Sequence, residues 1–114
     1  MFTDVDHEMR IAQEEIFGPV LAVLKVSGYE EAIETANDVE YGLSASIVTE
    51  DLGEAKQFAS DIEAGVVKIN EQTSGTKLHV PFGGFKNSSS NTYRELGDEG
   101  LRFFTSTKTV YENW

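Results

Sequence analysis

The chain has 114 residues, enough for one small domain, and its content of 39% apolar and 11% aromatic residues can supply a core. Twenty acidic residues oppose nine basic ones, and the resulting net charge of −11 disfavours binding to nucleic acid and to anionic membrane surfaces. The absence of cysteine excludes a disulfide framework, a thiolate metal site and a cysteine nucleophile within these residues.

The first two predicted elements are a strand and a helix. The apolar run "VLAVLKV" at 20–26 predicts a strand that is buried on both faces. In the next segment, apolar side chains recur at the spacing of one helical face; they are Tyr29, Ala32, Ile33 and Ala36. Ser27 stands three residues before Glu30, which is the spacing of a helix capping box.

The middle of the chain repeats this alternation. "LSASIV" at 43–48 and "VVKI" at 66–69 predict two more strands. A helix is predicted between them, with Asp51 as its N-cap and Gly65 as a left-handed C-cap residue. Strand, helix, strand, helix and strand in succession predict an α/β fold with a partial open parallel sheet, built from two consecutive βαβ units.

The last third of the chain changes in character. A Gly/Ser-rich loop region, "VPFGGFKNSSS", precedes a short helix predicted around 95–103. The β-prone end "TSTKTVYENW" predicts a C-terminal edge strand. Because ligands of parallel sheets gather at the carboxyl ends of the strands, the loop that begins at Asn70, "NEQTSGTKLH", is a candidate lining of a site.

A self-contained catalytic apparatus is not evident. The two histidines, His7 and His79, are isolated in the sequence, so no metal site is predicted, and a structural role is favoured for His79. The serines at 88–90 are typical of hydrogen-bonding turn residues rather than nucleophiles. The pair Gly83 and Gly84 lacks the spacing of a phosphate-binding loop.

The acidic composition bears on solvent conditions and on location. The surplus carboxylates have two interpretations. They can form an ordinary solvated surface, or they can be an adaptation of a halophilic organism, because high salt screens the repulsion between them. Equal stability in low and in molar salt would contradict the second interpretation. The acidic, polar start is unlike a signal peptide, and no apolar run of about 18 residues occurs. We therefore expect a cytoplasmic location.

Five motifs resemble, in order and spacing, the C-terminal part of the aldehyde dehydrogenase superfamily. They are "EEIFGPV", "NDVEYGLSASIVTEDL", "AGVVKIN", "PFGGFKNSS" and "RELGDEGLRFFTSTKTV". The resemblance implies that residues 1–104 are the C-terminal part of a catalytic domain. It also implies that residues 105–114 are an oligomerisation strand of a homo-oligomer. "HVPFGG" and "KNSSSNTYRE" lean towards members that act on α-ketoglutaric semialdehyde. After "PFGGFK" the chain departs from the Ser-Gly of many members.

The resemblance implies roles for four residues. Glu15 matches a glutamate that binds the nicotinamide ribose hydroxyls of NAD or NADP, and Phe17 matches a phenylalanine that packs beside the nicotinamide. A carboxylate can accept hydrogen bonds from both hydroxyls of a vicinal diol. Phe82 and the region around Thr73 match the lining of the aldehyde tunnel, although core packing is an equal alternative for Phe82. Glu14 receives no role.

The family's nucleophilic cysteine, general-base glutamate and oxyanion-hole asparagine lie upstream of "EEIFGPV", so we expect no catalytic residue in these 114 residues. The resemblance implies a segment of an NAD(P)-dependent enzyme that oxidises an aldehyde to a carboxylic acid. The segment alone is predicted to be inactive. The alternative function is that of a truncated, non-catalytic assembly or interaction module.

Overall fold

A computed structural model describes residues 1–90 and 94–114 as a mixture of short helices and short strands. The elements in chain order are α1 (Arg10–Gln13), α2 (Tyr29–Asn37), β1 (Tyr41–Gly42), β2 (Ser44–Ile47), α3 (Leu52–Asp61), β3 (Val66–Ile69), β4 (Phe85–Lys86) and α4 (Gly97–Phe103). Within the described ranges, no helix is long and apolar enough to cross a membrane.

The central feature is one βαβ unit. β2 and β3 pair in parallel, with Ser44 opposite Val66 and Ile47 opposite Ile69. α3 connects them, as the sequence predicts. Asp51 is its N-cap, and one oxygen of the carboxylate accepts hydrogen bonds from the first turn of the helix. This cap satisfies two backbone N–H groups that have no partner inside the helix.

The core lies between α3 and this parallel pair. Phe58, Ile62 and Ala64 are buried there. Partly buried side chains from α2, β2 and β3 pack against them, namely Tyr29, Ile33, Ala45, Ile47 and Val67. Burial of a side chain such as Phe58 contributes about 1.5–3 kcal/mol. The apolar face predicted for α2 therefore does contact the core, through Tyr29 and Ile33.

The start of α2 differs from the predicted capping box. The N-cap is Gly28 rather than Ser27, and it makes no side-chain cap. The backbone N–H and the hydroxyl of Ser27 donate instead to the carboxylate of Glu31, at 2.7 and 2.5 Å. Because the helix begins one residue later than predicted, the third helical position is Glu31 rather than Glu30.

The predicted strand at 20–26 is not formed within the described residues. An isolated parallel bridge joins Ala22 to Phe2, and the backbone N–H of Val23 donates to the Phe2 carbonyl at 2.9 Å. Val20, Leu21 and Val26 are exposed. The prediction was wrong because a strand buried on both faces needs covering layers and paired neighbours. The described chain therefore contains one βαβ unit instead of two consecutive ones.

Gly65 does not serve as the predicted left-handed C-cap. α3 ends at Asp61, and its C-cap residue Ile62 is extended. The described glycines with positive φ are Gly75 and Gly97. Gly65 is needed for a close approach of two backbone segments, since a Cβ there would lie 1.8 Å from the carbonyl oxygen of Gly83.

A second small sheet connects the end of the chain to this unit. β1 pairs antiparallel with β4, with Tyr41 opposite Lys86. Beyond it, Phe82 and Glu95 exchange two backbone hydrogen bonds, at 2.6 and 2.7 Å. The short helix predicted around 95–103 is confirmed as α4. The Phe82–Glu95 bridge therefore ties the start of α4 to the segment that leads into β4.

The C-terminal edge strand predicted at 105–114 is not formed within this chain either. Residues 105–114 are exposed and have no regular structure. A strand needs a hydrogen-bonded neighbour, and no ladder partner for this segment occurs among residues 1–90 and 94–104. With this tail, the chain measures 72 × 33 × 22 Å along its principal axes.

A hydrogen bond between α2 and α3 gives the fold a dependence on alkaline pH. The hydroxyl of Tyr29 donates to Oδ2 of Asp61 at 3.0 Å. Partial burial, reinforced by this hydrogen bond, raises the pKa of Tyr29 to about 12, because both favour the neutral phenol. The folded pKa lies above that of an unfolded tyrosine, about 10. The stabilisation is therefore complete below about pH 10 and is lost as the pH rises towards the folded value.

We expect Tyr29→Phe to reduce the loss of stability at alkaline pH, because phenylalanine has no hydroxyl to ionise. The free energy of unfolding of both proteins can be measured with urea at about pH 8 and about pH 11. The parent should lose more stability between these conditions than the variant. An equal loss in the two proteins would show that Tyr29 does not carry this dependence.

Candidate functional site

The two carboxylates of "EEIFGPV" have different surroundings. Arg10 of α1 donates from Nε and Nη2 to the two carboxylate oxygens of Glu14, at 2.9 and 2.6 Å. The hydrogen bond from Arg10 is the largest cause of the lowered pKa of Glu14. The structure shows no hydrogen bond from any described residue to the carboxylate of Glu15. Glu14 is thus paired with Arg10, whereas the described residues leave the acceptor positions of Glu15 unused.

A tight turn follows Glu15. The backbone N–H of Val20 donates to the carbonyl of Gly18 at 2.7 Å, which closes a three-residue turn around Pro19. The ring of proline fixes φ near the value that such a turn needs. Phe17, just before the turn, is 92% exposed. An aromatic ring therefore lies free two residues from the unoccupied carboxylate.

Glu15 lines a groove of about 460 Å³. Its lining includes Gln13 and Glu14 near the end of α1, and Leu43 and Ser44 near the start of β2. Phe17 does not line it. The structure therefore places one of the two predicted cofactor-binding side chains on a cavity and the other one in solvent.

Phe82 lines a different cavity, of about 690 Å³. Its apolar walls are aliphatic and aromatic: Leu43, Phe82, Leu96, Leu101, Phe103 and Phe104. Polar groups come from the serines at 88–90 and from Glu95. Phe82 is half-buried and does not belong to the buried core. Its side chain is thus available to shape an apolar cavity that could admit a small organic molecule.

Thr73 lies on a loop that doubles back along β2. The hydroxyl of Ser46 donates to the Glu71 carbonyl at 2.5 Å, and that of Ser44 donates to the Thr73 carbonyl at 3.2 Å. Successive side chains of a strand point to opposite faces, so the two serines lie on the face opposite the core-packed Ala45. Thr73 itself is exposed and lines neither the groove at Glu15 nor the cavity at Phe82.

A lysine holds the far end of this loop. Nζ of Lys68, in β3, donates to the carbonyls of Ser74 and Gly75 at 2.6 and 2.7 Å. At the near end, Asn70 has a φ of 56°, and its side-chain amide exchanges hydrogen bonds with the backbone of Thr49 at 2.9 and 3.0 Å. Lys68 was not among the site residues predicted from the sequence. Its only signal was a charged residue in the otherwise apolar strand "VVKI".

The remaining sequence candidates take structural positions. Ser88 accepts a hydrogen bond from the backbone N–H of Gly42 at 3.1 Å, as expected of a loop serine. Nε2 of His7 lies 2.9 Å from a carboxylate oxygen of Asp38. Over the residues for which the structure gives positions, no group of three or more His, Cys, Asp or Glu could hold a metal ion.

Known sequences match the chain over its whole length. The profile of the "Aldehyde dehydrogenase family" matches residues 1–110. An alpha-ketoglutarate semialdehyde dehydrogenase of Haloferax volcanii is 63% identical over 114 residues, which are 100% of this chain and 24% of that protein. A 2,5-dioxopentanoate dehydrogenase of Saccharolobus solfataricus is 47% identical, with the same coverage of 100% and 24%. An alpha-ketoglutaric semialdehyde dehydrogenase of Bacillus subtilis is 53% identical, and the match spans 97% of this chain and 22% of that protein.

Solved structures agree with the sequence matches. An NAD+ complex of an aldehyde dehydrogenase from Bacillus cereus superposes with a TM-score of 0.91 at 42% identity, over 97% of this chain and 22% of that chain. A Mycobacterium tuberculosis aldehyde dehydrogenase complexed with NAD+ gives a TM-score of 0.83 at 44% identity, over 91% of this chain and 21% of that chain. The chain thus spans about a quarter of the length of the curated relatives that it matches.

Proposed function

This chain belongs to the aldehyde dehydrogenase family, and on that basis we propose that it is the C-terminal part of an NAD(P)-dependent enzyme that oxidises an aldehyde to a carboxylic acid. The observation that carries the proposal is the Glu15 carboxylate, which the pairing of Glu14 with Arg10 leaves without a partner among the described residues. A charged acceptor in such a position can bind a vicinal diol such as a ribose.

The proposed roles at the cofactor follow from these surroundings. The carboxylate of Glu15 accepts hydrogen bonds from the two hydroxyls of the nicotinamide ribose. The exposed ring of Phe17 packs beside the nicotinamide and shields it from water. Both side chains fit such a ligand, since one is an uncommitted acceptor and the other an unpacked aromatic ring. The bound dinucleotide supplies the acceptor of the hydride. The choice between NAD and NADP depends on contacts outside these residues.

The proposed substrate is a semialdehyde that carries a carboxylate, of the kind named in the relatives. Support comes from their identity to this chain, which is 63% for the Haloferax volcanii protein and 53% for the Bacillus subtilis protein. Phe82 shapes the apolar wall of the aldehyde tunnel, and Thr73 contributes from the loop after β3. The cavity at Phe82, with its aromatic walls and few polar groups, supports the first of these roles.

The small number of buried hydrophobic residues supports the proposal that more protein packs over this segment. The buried hydrophobic residues of the described chain are Val5, Ala55, Phe58, Ile62 and Ala64. Many large apolar side chains remain exposed, and apolar surface on this scale usually marks an interface. We propose that residues 1–104 pack against the rest of a catalytic domain. Residues 105–114 would form a strand with a neighbouring subunit of a homo-oligomer in the cytoplasm.

The 114-residue chain by itself is expected to show no dehydrogenase activity, because a thiolate nucleophile is missing. The protein encoded by the complete reading frame is expected to reduce NAD+ or NADP+ when a semialdehyde is added. The measurement is the absorbance of the reduced dinucleotide with a panel of aldehydes. Activity of the 114-residue chain alone would contradict the first expectation.

An inactive full-length protein would contradict the enzymatic proposal and would favour a non-catalytic assembly module. The exposed tail at 105–114 is the feature that such a module would use. Self-association of the 114-residue chain can be compared, by light scattering, with that of a chain that lacks residues 105–114.

A further inference from the structure

We propose that Lys68 is a positioning residue that holds the loop at 71–75 against the sheet and thereby sets how tightly the aldehyde is bound. The inference rests on the proposed function, in which Thr73 of this loop contributes to the aldehyde site. The observation behind it is the contact of Nζ of Lys68 with two successive carbonyls of the loop, those of Ser74 and Gly75, at 2.6 and 2.7 Å.

Lys68 donates to backbone carbonyls in a protein that is rich in carboxylates. The chain has 20 acidic residues against nine basic ones. Nevertheless, within the part of the chain that the structure covers, Lys68 forms no ion pair with a carboxylate. Its ammonium group donates instead to two neutral backbone oxygens. Hydrogen bonds with one charged partner are roughly twice as strong as neutral ones. The half-buried stem of Lys68 thus directs a strong donor at this loop.

The backbone of the loop is shaped to receive this ammonium group. Gly75 has a φ of 84°, and a Cβ added there would meet nothing within 4 Å. Space is therefore not the reason for a glycine at this position. The left-handed conformation is the reason, since residues with a Cβ rarely adopt it. This conformation turns the chain where the carbonyls of Ser74 and Gly75 both face the same Nζ atom.

The loop is fastened at both ends, and Thr73 lies between the fastenings. Ser46 and Ser44 hold the carbonyls of Glu71 and Thr73 on the face of β2 that points away from the core. Lys68 holds the next two carbonyls from the neighbouring strand. If Lys68 is lost, only the two serine hydroxyls hold the loop, and residues 71–75 open more often. An aldehyde that contacts the loop should then bind less tightly.

The kinetic experiment uses the full-length enzyme and the variants Lys68→Met and Lys68→Arg. We expect Lys68→Met to raise the KM for the aldehyde about tenfold. The kcat should change less than about twofold, because the loop carries no reacting group. Lys68→Arg, which keeps a charged donor, should restore most of the affinity. The matched control is Lys56→Met, which replaces an exposed lysine on α3 and should leave the KM unchanged.

Three results would overturn the positioning role. The first is an unchanged KM for the aldehyde in Lys68→Met. The second is an equal rise in Lys56→Met. The third is a parallel loss in kcat and in affinity for the dinucleotide, since that pattern indicates a general structural defect instead of a local one.

A second measurement tests the fastening without relying on activity. Endoproteinase Glu-C cleaves after glutamate, and Glu71 is the exposed glutamate of the loop. Cleavage between Glu71 and Gln72, followed by mass spectrometry, should become about tenfold faster in Lys68→Met. Cleavage after Glu54 in α3 should not change.

Gly75→Ala disturbs the same contact by changing the backbone of the loop, and it should also speed cleavage after Glu71. Combining it with Lys68→Met should add little further effect. Unchanged cleavage in both single variants would overturn the proposed fastening, even if the enzyme is active. Faster cleavage in a full-length protein that oxidises no aldehyde would retain the fastening but would overturn the proposed function and with it the role in aldehyde binding.

Discussion

Replacing Glu15 with alanine is expected to raise the KM for the dinucleotide about tenfold to a hundredfold in the full-length enzyme. The proposed interaction is a charged carboxylate that accepts two ribose hydroxyls, and hydrogen bonds to charged groups contribute about 1.5–3 kcal/mol. Each 1.4 kcal/mol corresponds to about a factor of ten in affinity. Direct titration of the dinucleotide should show the same loss, which separates binding from turnover.

The neighbouring carboxylate provides a matched control for Glu15. Glu14→Ala removes the same number of atoms and one charge, but it breaks only the exposed pair with Arg10, and exposed ion pairs contribute little. Its KM for the dinucleotide should stay within about twofold of the parent value. Glu15→Gln keeps one acceptor oxygen, so its KM for the dinucleotide should lie between the values of the two alanine variants. A similar KM in Glu14→Ala and Glu15→Ala would disprove the assignment.

Gly65→Ala is expected to have the largest effect on stability, about 3 kcal/mol or more of lost free energy of unfolding. A Cβ at this position would lie 1.8 Å from the carbonyl oxygen of Gly83 and 2.5 Å from Nη1 of Arg94. The arginine side chain can move aside, but the carbonyl belongs to the backbone. The two segments must therefore separate, which also strains the hydrogen bond of 3.0 Å from the Gly65 N–H to the Gly42 carbonyl.

Gly100→Ala is the matched control, because it adds the same methyl group where the structure has room. Gly100 lies inside α4, and its Cβ would meet only the carbonyl carbon of Glu95, at 3.8 Å. Alanine favours a helix interior by about 0.5–1 kcal/mol over glycine. Urea unfolding should therefore show Gly100→Ala equal to or more stable than the parent. A loss below about 1 kcal/mol in Gly65→Ala would show that the two segments can part easily.

The parts of the fold that the sequence predicted well are those with local causes. α3 has a side-chain cap at Asp51 and buries Ala55 and Phe58, while β2 precedes it and β3 follows it. The strands predicted at 20–26 and 105–114 are not formed in the single chain for a common reason. Each has a composition suited to a strand, but a strand also needs neighbours, and composition does not show whether neighbours are present.

The candidate site was predictable to a smaller extent. The motif around Glu15 indicated a cofactor role, but the difference between Glu14 and Glu15 depends on where Arg10 lies on α1. The fastening by Lys68 could not be predicted, since its partners are backbone carbonyls, which every residue has. Only the path of the loop brings two of them to one ammonium group.

The extended tail has a consequence for how the size of this protein is measured in solution. The radius of gyration is 18.2 Å, whereas a compact chain of about this length has a value near 13 Å. A monomer of 12.6 kDa with this outline experiences more friction than a sphere of equal mass. It should elute early from a gel-filtration column, with an apparent mass close to that of a dimer. Sedimentation equilibrium or light scattering, which report mass independently of shape, is therefore the appropriate way to count subunits.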